Sequence, residues 1–175
     1  NYTVRQFRAE SLELDVDFVV HGTEGVAGPW AASVEPGAEV AFIDQGCGWK
    51  PVEADWHLLV ADESGLPAVA GVLRDLPRDA RGIAVIELFD LADRQPLDEP
   101  KGFTVHWVER PAGSAPGSAA LPALAALEFP AGAPYAFAVG ESAVATGARR
   151  HLVAERGTPK SDITFCGYWK RGAAR

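Results

Sequence analysis

Methionine is absent from the 175 residues, and the chain opens on Asn1-Tyr2-Thr3-Val4-Arg5, which already reads as a strand. Asn1 is therefore not expected to be a translation start. A missing upstream part is the stronger expectation, because nothing here resembles the apolar core of a cleaved leader. Cysteine is nearly absent too: Cys47 and Cys166 lie 119 positions apart with no C-x-x-C. That argues against a disulfide framework or a zinc ribbon and makes a reducing, cytoplasmic setting the default. No apolar run approaches the roughly 18 to 20 residues of a membrane span, so no membrane segment is expected in this chain. Lysine and arginine number 16 against 24 Asp and Glu, a formal charge of −8, which argues against nucleic acid as a partner, since such binding needs cations to displace counterions from phosphates. His21, His57, His106 and His151 share no metal-ligand spacing, and there is no G-x-S-x-G nucleophile turn.

What is present is a chain that is 47% apolar and 23% charged, enough for one ordinary domain with a core, or a small domain plus part of another. Its charge is uneven. Residues 149–175 carry seven Lys and Arg against two Asp and Glu, a net of +5, which leaves −13 on residues 1–148. An anionic ligand would favour that C-terminal stretch.

The first fifty residues read as antiparallel β structure. Residues 12–20 alternate apolar and polar as far as Phe18, as a strand with one wet face does. A glycine-rich loop follows, Trp30-Ala31-Ala32 resumes as a short helix or turn, and Val40-Ala41-Phe42-Ile43 predicts another strand. After Asp55 the period changes. Trp56-His57-Leu58-Leu59-Val60-Ala61 is a continuous apolar run, as expected of a strand buried on both faces. Residues 68–76 predict a helix stopped by Pro77, residues 82–89 and 103–108 two strands, and residues 121–127 two helical turns. Residues 135–139 predict a further strand, Gly140-Glu141-Ser142 a tight turn, 143–156 a helix and 162–168 a closing strand. The expected fold class is α/β: a partial, truncated antiparallel β barrel at residues 1–52, then a parallel-sheet domain at residues 53–175.

In an open parallel sheet, ligands bind beyond the carboxyl ends of the strands. Asp62-Glu63-Ser64-Gly65 is the most suggestive of those ends, because Gly65 permits close backbone approach and Ser64 offers a hydroxyl. Asp62 and Glu63 would repel a phosphate. They either accept hydrogen bonds from ribose hydroxyls or a carboxamide, or complement a helix dipole. At the other end of the chain, Gly167-Tyr168-Trp169-Lys170-Arg171-Gly172 sets two aromatics beside two cations, either for ligand stacking and charge recognition or as a solvated terminus. Arg149 and Arg150 could reach a 2′-phosphate or simply form a solvated helix face.

Six segments occur in one order: Tyr2-Thr3-Val4-Arg5, Asp17-Phe18-Val19-Val20-His21-Gly22, Gly28-Pro29-Trp30-Ala31, Asp62-Glu63-Ser64-Gly65-Leu66-Pro67-Ala68, Gly140-Glu141, and Gly167-Tyr168-Trp169-Lys170-Arg171-Gly172. In order and spacing they resemble the siderophore-interacting protein family, FAD-dependent ferric-siderophore reductases of the ferredoxin-reductase type, over nearly the whole chain. The resemblance implies that residues 1–52 are the C-terminal part of an FAD-binding barrel, and that residues 53–175 are the NAD(P)H-binding and siderophore-interacting domain. It implies that Tyr2 packs on the flavin ring and Thr3 hydrogen-bonds near its reactive nitrogen, as the catalytic pair. Val4, Asp17, His21, Ala27, Gly28, Trp30 and Ala31 would complete the FAD side. Asp62, Glu63, Ser64, Gly65, Glu141 and Trp169 would take the nucleotide, and Lys170 and Arg171 the anionic ferric siderophore. The leading arginine of the family's R-x-Y-T-x-R motif would fall before Asn1. Val26, Gly28 and Asp44-Gln45-Gly46-Cys47-Gly48 depart from the family pattern, the last by removing a positive charge near the expected flavin.

The implied function is that of an oxidoreductase and flavoprotein of iron acquisition: electrons pass from NAD(P)H through FAD to Fe(III), and Fe(II) is released. Ferredoxin is an alternative donor in some relatives. Two other readings stand beside it: a non-catalytic siderophore-binding or protein-interaction module, and a general flavin or ferredoxin reductase.

Overall fold

The computed structural model describes residues 2–20, 25–43, 46, 48–50 and 52–173. Two sheets organise them. Strands β1 (Val4–Arg8) and β2 (Glu13–Val16) form an antiparallel hairpin. A second sheet holds five parallel strands: β3 (Trp56–Ala61), β4 (Arg81–Leu88), β5 (Gly102–Glu109), β6 (Pro134–Glu141) and β7 (Ile163–Trp169), in the order β5-β4-β3-β6-β7.

The unbroken apolar runs have their cause in the layers above and below. All six residues of β3 are buried, and alternate side chains enter two separate cores. Trp56, Leu58 and Val60 pack under α3 (Ala120–Ala126) and α4 (Ser142–Ala154); Leu59 and Ala61 pack under α2 (Leu66–Asp75). Period-two alternation across a doubly covered sheet thus appears in the sequence as continuous hydrophobicity. β5 is an edge strand and keeps a wet face, which is why its burial alternates.

Several boundaries differ from expectation. Residues 12–20 yield a strand only at Glu13–Val16, and residues 40–43 form no strand and are exposed. Among the described residues neither segment has a second sheet to cover it, and an apolar stripe without a covering layer does not hold a ladder. Gly140-Glu141-Ser142 is not a turn. β6 runs through Glu141 and α4 begins at Ser142 with no intervening loop, because the Glu141 side chain caps the helix by accepting from the Ala143 amide.

The hairpin is tied to the α/β unit at its own end. Arg74, in the last turn of α2, donates to the Arg5 carbonyl at 2.9 Å, and Gln95 donates to Asp17 at 3.3 Å. Trp49 then packs edge-on against His57, Tyr135 and Phe137, leading the chain into β3.

Candidate functional site

Strand order reverses between β3 and β6, so the crossovers leave in opposite directions there and open a crevice at the carboxyl ends. Asp62 follows β3 directly and is fully buried. Its Oδ1 accepts from the Ser64 amide (2.9 Å), the Ser64 hydroxyl (2.6 Å) and the Gly65 amide (3.2 Å). Its Oδ2 accepts from the Glu141 amide at 2.6 Å, bridging β3 to β6. Two glycines make room for this latch. Gly140 sits at φ +125, and a Cβ there would fall on the Asp62 carboxylate. A Cβ on Gly65 would come within 2.9 Å of Ala61 and Val139, so only glycine lets α2 start this close to the sheet.

The end of β7 joins the same network. Trp169 Nε1 donates to the Ser64 hydroxyl at 3.1 Å, and the Ser142 hydroxyl donates to the Trp169 carbonyl at 2.8 Å. The Arg171 amide donates to Glu141 Oε1 at 3.0 Å, so Glu141 holds the turn after β7 while capping α4. Asp62, Ser64, Gly65, Glu141 and Trp169 therefore meet in one hydrogen-bonded ring, although 79 residues separate Asp62 from Glu141. Both Asp62 oxygens are occupied within that ring, so its action is on the loop.

Glu63 points the other way. Its Oε1 accepts from Arg110 Nη2 at 2.6 Å, its own backbone amide also favours the charged form, and its Oε2 is buried with no other residue donating to it among the described residues. Arg110 also donates to Glu87 at 2.7 Å and lies 4.0 Å over the Phe89 ring. Glu87, completely buried, further accepts from the amides of Gly117, Ala119 and Ala120 at 2.8 to 2.9 Å. Burial pushes the Glu63 carboxyl above its ordinary range, against the opposing hydrogen bond from Arg110. Burial alone would lower the Arg110 pKa, yet its two carboxylate partners leave it raised. Neither Glu87 nor Arg110 stood out as a site residue in the sequence. The available signal was a glutamate inside the apolar run of β4, a position that requires a buried partner.

The N-terminal candidates form a separate locus. Tyr2 is 58% exposed, with its ring 4.7 Å from Phe18, which in turn lies 5.6 Å from Trp30. Thr3 is half-buried and Val4 opens β1; Ala27, Gly28, Trp30 and Ala31 lie on α1 (Ala27–Ser33). His21 lies outside the described residues, as do Asp44, Gln45 and Cys47. Arg5 pairs with Asp17 (2.9 Å) and Asp15 (3.3 Å), and Arg8 with Asp15 (2.7 Å) and Glu13 (3.0 Å). The hydrogen-bonded Arg8 guanidinium holds Asp15 and Glu13 below the usual carboxylate range.

Lys170 and Arg171 project from the turn after β7, exposed and, among the described residues, without an ion-pair partner. Arg149 and Arg150 are elsewhere. Arg149 lies 4.8 Å over Phe165 on the outer edge of the sheet, and both residues sit seven or more positions along α4 from Ser142, about 10 Å at 1.5 Å per residue. Among the described residues no group of three His, Cys, Asp or Glu side chains could hold a metal ion, and no helix is long and apolar enough to cross a membrane.

Comparison with known proteins matches residues 54–172 to the family model described as siderophore-interacting protein, and residues 1–48 to the siderophore-interacting FAD-binding domain. The ferric vibriobactin reductase ViuB of Vibrio cholerae is 36% identical over 174 residues, covering 98% of this chain and 64% of that protein. The chain thus spans under two thirds of the length of this relative. A siderophore utilization protein from T. fusca superposes with a TM-score of 0.81 at 39% identity, over 99% of this chain and 66% of the other. The siderophore-interacting protein SipS from Aeromonas hydrophila superposes with a TM-score of 0.84 at 31% identity, over 99% of this chain and 68% of the other.

Proposed function

The chain belongs to the siderophore-interacting protein family, and from that premise we propose that it is the nucleotide-facing part of a ferric-siderophore reductase, carrying electrons from NAD(P)H by way of FAD to Fe(III). The observation that carries this reading is the hydrogen-bonded ring at the β3/β6 crevice. It gathers three separated motifs at the place where an open parallel sheet takes a ligand. Residues 53–175 are the nucleotide and siderophore domain in this reading, and residues 1–52 the end of an FAD barrel. A nicotinamide donor supports a cytoplasmic setting for this reaction.

For the nucleotide, the loop after β3 offers a backbone that Gly65 lets approach closely, with the Ser64 hydroxyl at its tip. Asp62, Ser64, Gly65 and Glu141 hold the loop in shape, and Trp169, anchored through its Nε1, offers a ring face beside it. For FAD, the exposed Tyr2 ring beside Phe18 and Trp30 fits a planar ring system. Tyr2, Thr3 and Trp30 would hold it, with the backbone of Val4, Ala27, Gly28 and Ala31, and with Asp17 fixing Arg5 behind them. When bound, FAD supplies the conversion between a two-electron donor and a one-electron acceptor. Lys170 and Arg171, exposed at the end of β7, attract the anionic ferric siderophore to the rim next to Trp169.

One observation favours a second reading, a non-catalytic binding module. Arg5 and Arg8 are both committed to carboxylates, leaving neither free for a diphosphate. An anaerobic assay separates the two. The chain is incubated with FAD, NADH or NADPH and a ferric siderophore, and Fe(II) is trapped by a selective chelator. Trapping that requires the chain, FAD and nucleotide together supports the reductase. Siderophore binding with no Fe(II) above the protein-free rate supports the module.

A further inference from the structure

The parallel sheet ends at β7, and among the described residues β6 is the only strand that pairs with it. From Ile163 to Gly167 this outer edge carries neither a proline nor a charged side chain, the usual devices that discourage a further strand. Phe165 and Cys166, on opposite faces of the strand, are both exposed. Helix α4 runs beside the edge. Its Thr146, Arg149, Arg150, Val153 and Ala154, spaced three and four apart, form one helix face, and with Phe165 they line a groove of about 380 Å³. The cations of that groove have no counterpart within the chain. Arg149 lies 4.8 Å over the Phe165 ring, and among the described residues neither it nor Arg150 meets a carboxylate or a carbonyl. Every other described arginine except Arg171 places its guanidinium on one or the other. No carboxylate lines the groove, so two free guanidinium groups stand over an aromatic and aliphatic floor, beside an open strand edge.

We propose that the β7 edge and the flanking face of α4 take an extended acidic segment of a partner protein, added as a sixth strand with its carboxylates on Arg149 and Arg150. Main-chain hydrogen bonds to the edge supply the affinity of such an addition, and side chains on alternate positions supply the selectivity. Those on the α4 side meet the two arginines and Phe165; those on the other side meet Thr164 and Cys166, which carry no charge. The segment therefore alternates acidic with small uncharged residues. With −13 on residues 1–148, the remainder of the chain repels it. A second copy of the chain fits less well: antiparallel pairing of two β7 edges about a twofold axis sets both α4 helices on one face and brings four like charges together. The surface does not depend on the nucleotide or flavin readings. Because β7 ends at Trp169, whose Nε1 donates to Ser64, the added strand lies beside the crevice without filling it.

The test is binding of a labelled, acetylated octapeptide of strictly alternating Asp and Thr to the whole chain, followed by fluorescence anisotropy at low salt without flavin or nucleotide. Binding is expected, with slower hydrogen exchange at the amides of residues 163–167. The Arg149→Gln/Arg150→Gln variant should bind tenfold or more weakly, whereas Arg149→Lys/Arg150→Lys, which keeps both charges, should retain most of the affinity; a mere folding defect would not separate the two. Two further peptides, N-methylated at the odd or at the even positions, keep every carboxylate but lose alternate backbone donors. One of them should fail to bind, because only alternate amides face a strand edge. No binding of the parent peptide at millimolar concentration overturns the proposal, as does unchanged affinity in the Gln variant. Equal binding of both methylated peptides, or displacement of the parent by an equal concentration of citrate, also overturns it and leaves a patch for small anions. A concentration-dependent dimer of the chain that Phe165→Lys abolishes overturns it in favour of a second copy.

Discussion

Replacing Asp62 by Asn should loosen the joint between β3 and β6 without changing the volume of any side chain. All four contacts of Asp62 come from donors: the Ser64 amide and hydroxyl and the Gly65 amide on Oδ1, and the Glu141 amide on Oδ2. Asparagine has only one acceptor atom. Its better orientation keeps the oxygen on the three donors of residues 64 and 65 and turns its NH2 toward the Glu141 N–H. One hydrogen bond to a charged group is then lost, about 1.5–3 kcal/mol, and two buried donors face each other, bringing the total to roughly 2–4 kcal/mol. A urea m-value of about 2 kcal/mol/M for a small protein converts this into a midpoint lower by roughly 1–2 M. Hydrogen exchange gives the local readout: the Glu141 amide should lose protection well before the amides of β3 and β4. A midpoint shift under about 0.3 M, or unchanged protection at Glu141, would refute the claim that this one carboxylate joins the two strands.

Gly140→Ala should act on the same joint from the opposite side, since φ +125 and the Asp62 carboxylate both oppose a Cβ; a loss of roughly 2–4 kcal/mol is expected from backbone strain and displacement of the latch, measured by urea unfolding. His57 gives a pH dependence. Burial lowers its pKa, so below about pH 6.5 the unfolded chain takes up a proton that the folded chain refuses, and stability falls as pH drops from 6.5 toward the folded pKa. His151, lowered by burial and then by Arg156, acts in the same sense, so His57→Phe should reduce but not abolish the drop in unfolding midpoint between pH 7.5 and 5.5; an unchanged drop would exclude His57 as a source. Charge reversal at both Lys170 and Arg171 should weaken ferric-siderophore binding several-fold at low salt and much less near 0.3 M, where screening already shortens the reach of exposed charges. Fluorescence quenching checks this, and equal affinity at low salt would remove these two side chains from the substrate rim.

The parallel sheet was legible because its physics is periodic and local. Strands covered on both faces must be continuously apolar, and β3, β4 and β6 announce themselves in that way, with the helix between β3 and β4 stopped near Pro77. The N-terminal hairpin was less legible. Val40, Phe42 and Ile43 have strand composition but stand exposed at 67%, 73% and 83%, and propensity without a covering layer does not make a strand. At Gly140 the sequence suggested a turn because glycine usually marks one. The positive φ there serves a different end, clearing space for a carboxylate attached to another strand.

The candidate site divides along the same line. Asp62, Glu141 and Trp169 could be singled out because each closes a strand, and strand ends are where a parallel sheet presents its chemistry. Their connection to one another could not, since it depends on β3 and β6 being neighbours despite the 79 residues between Asp62 and Glu141. Glu87 and Arg110 show why the rest was hidden. A buried charge is tolerable only with its partners in place, and those partners come from the loop after β3, from the residue after β5 and from the loop before α3, three places that no local pattern relates. The sequence carries the anomaly, a carboxylate in an apolar strand, but only the fold reveals that four donors saturate Glu87. An acceptor so occupied can act only by position: it fixes Arg110 and, through the other arm of that guanidinium, the loop after β3.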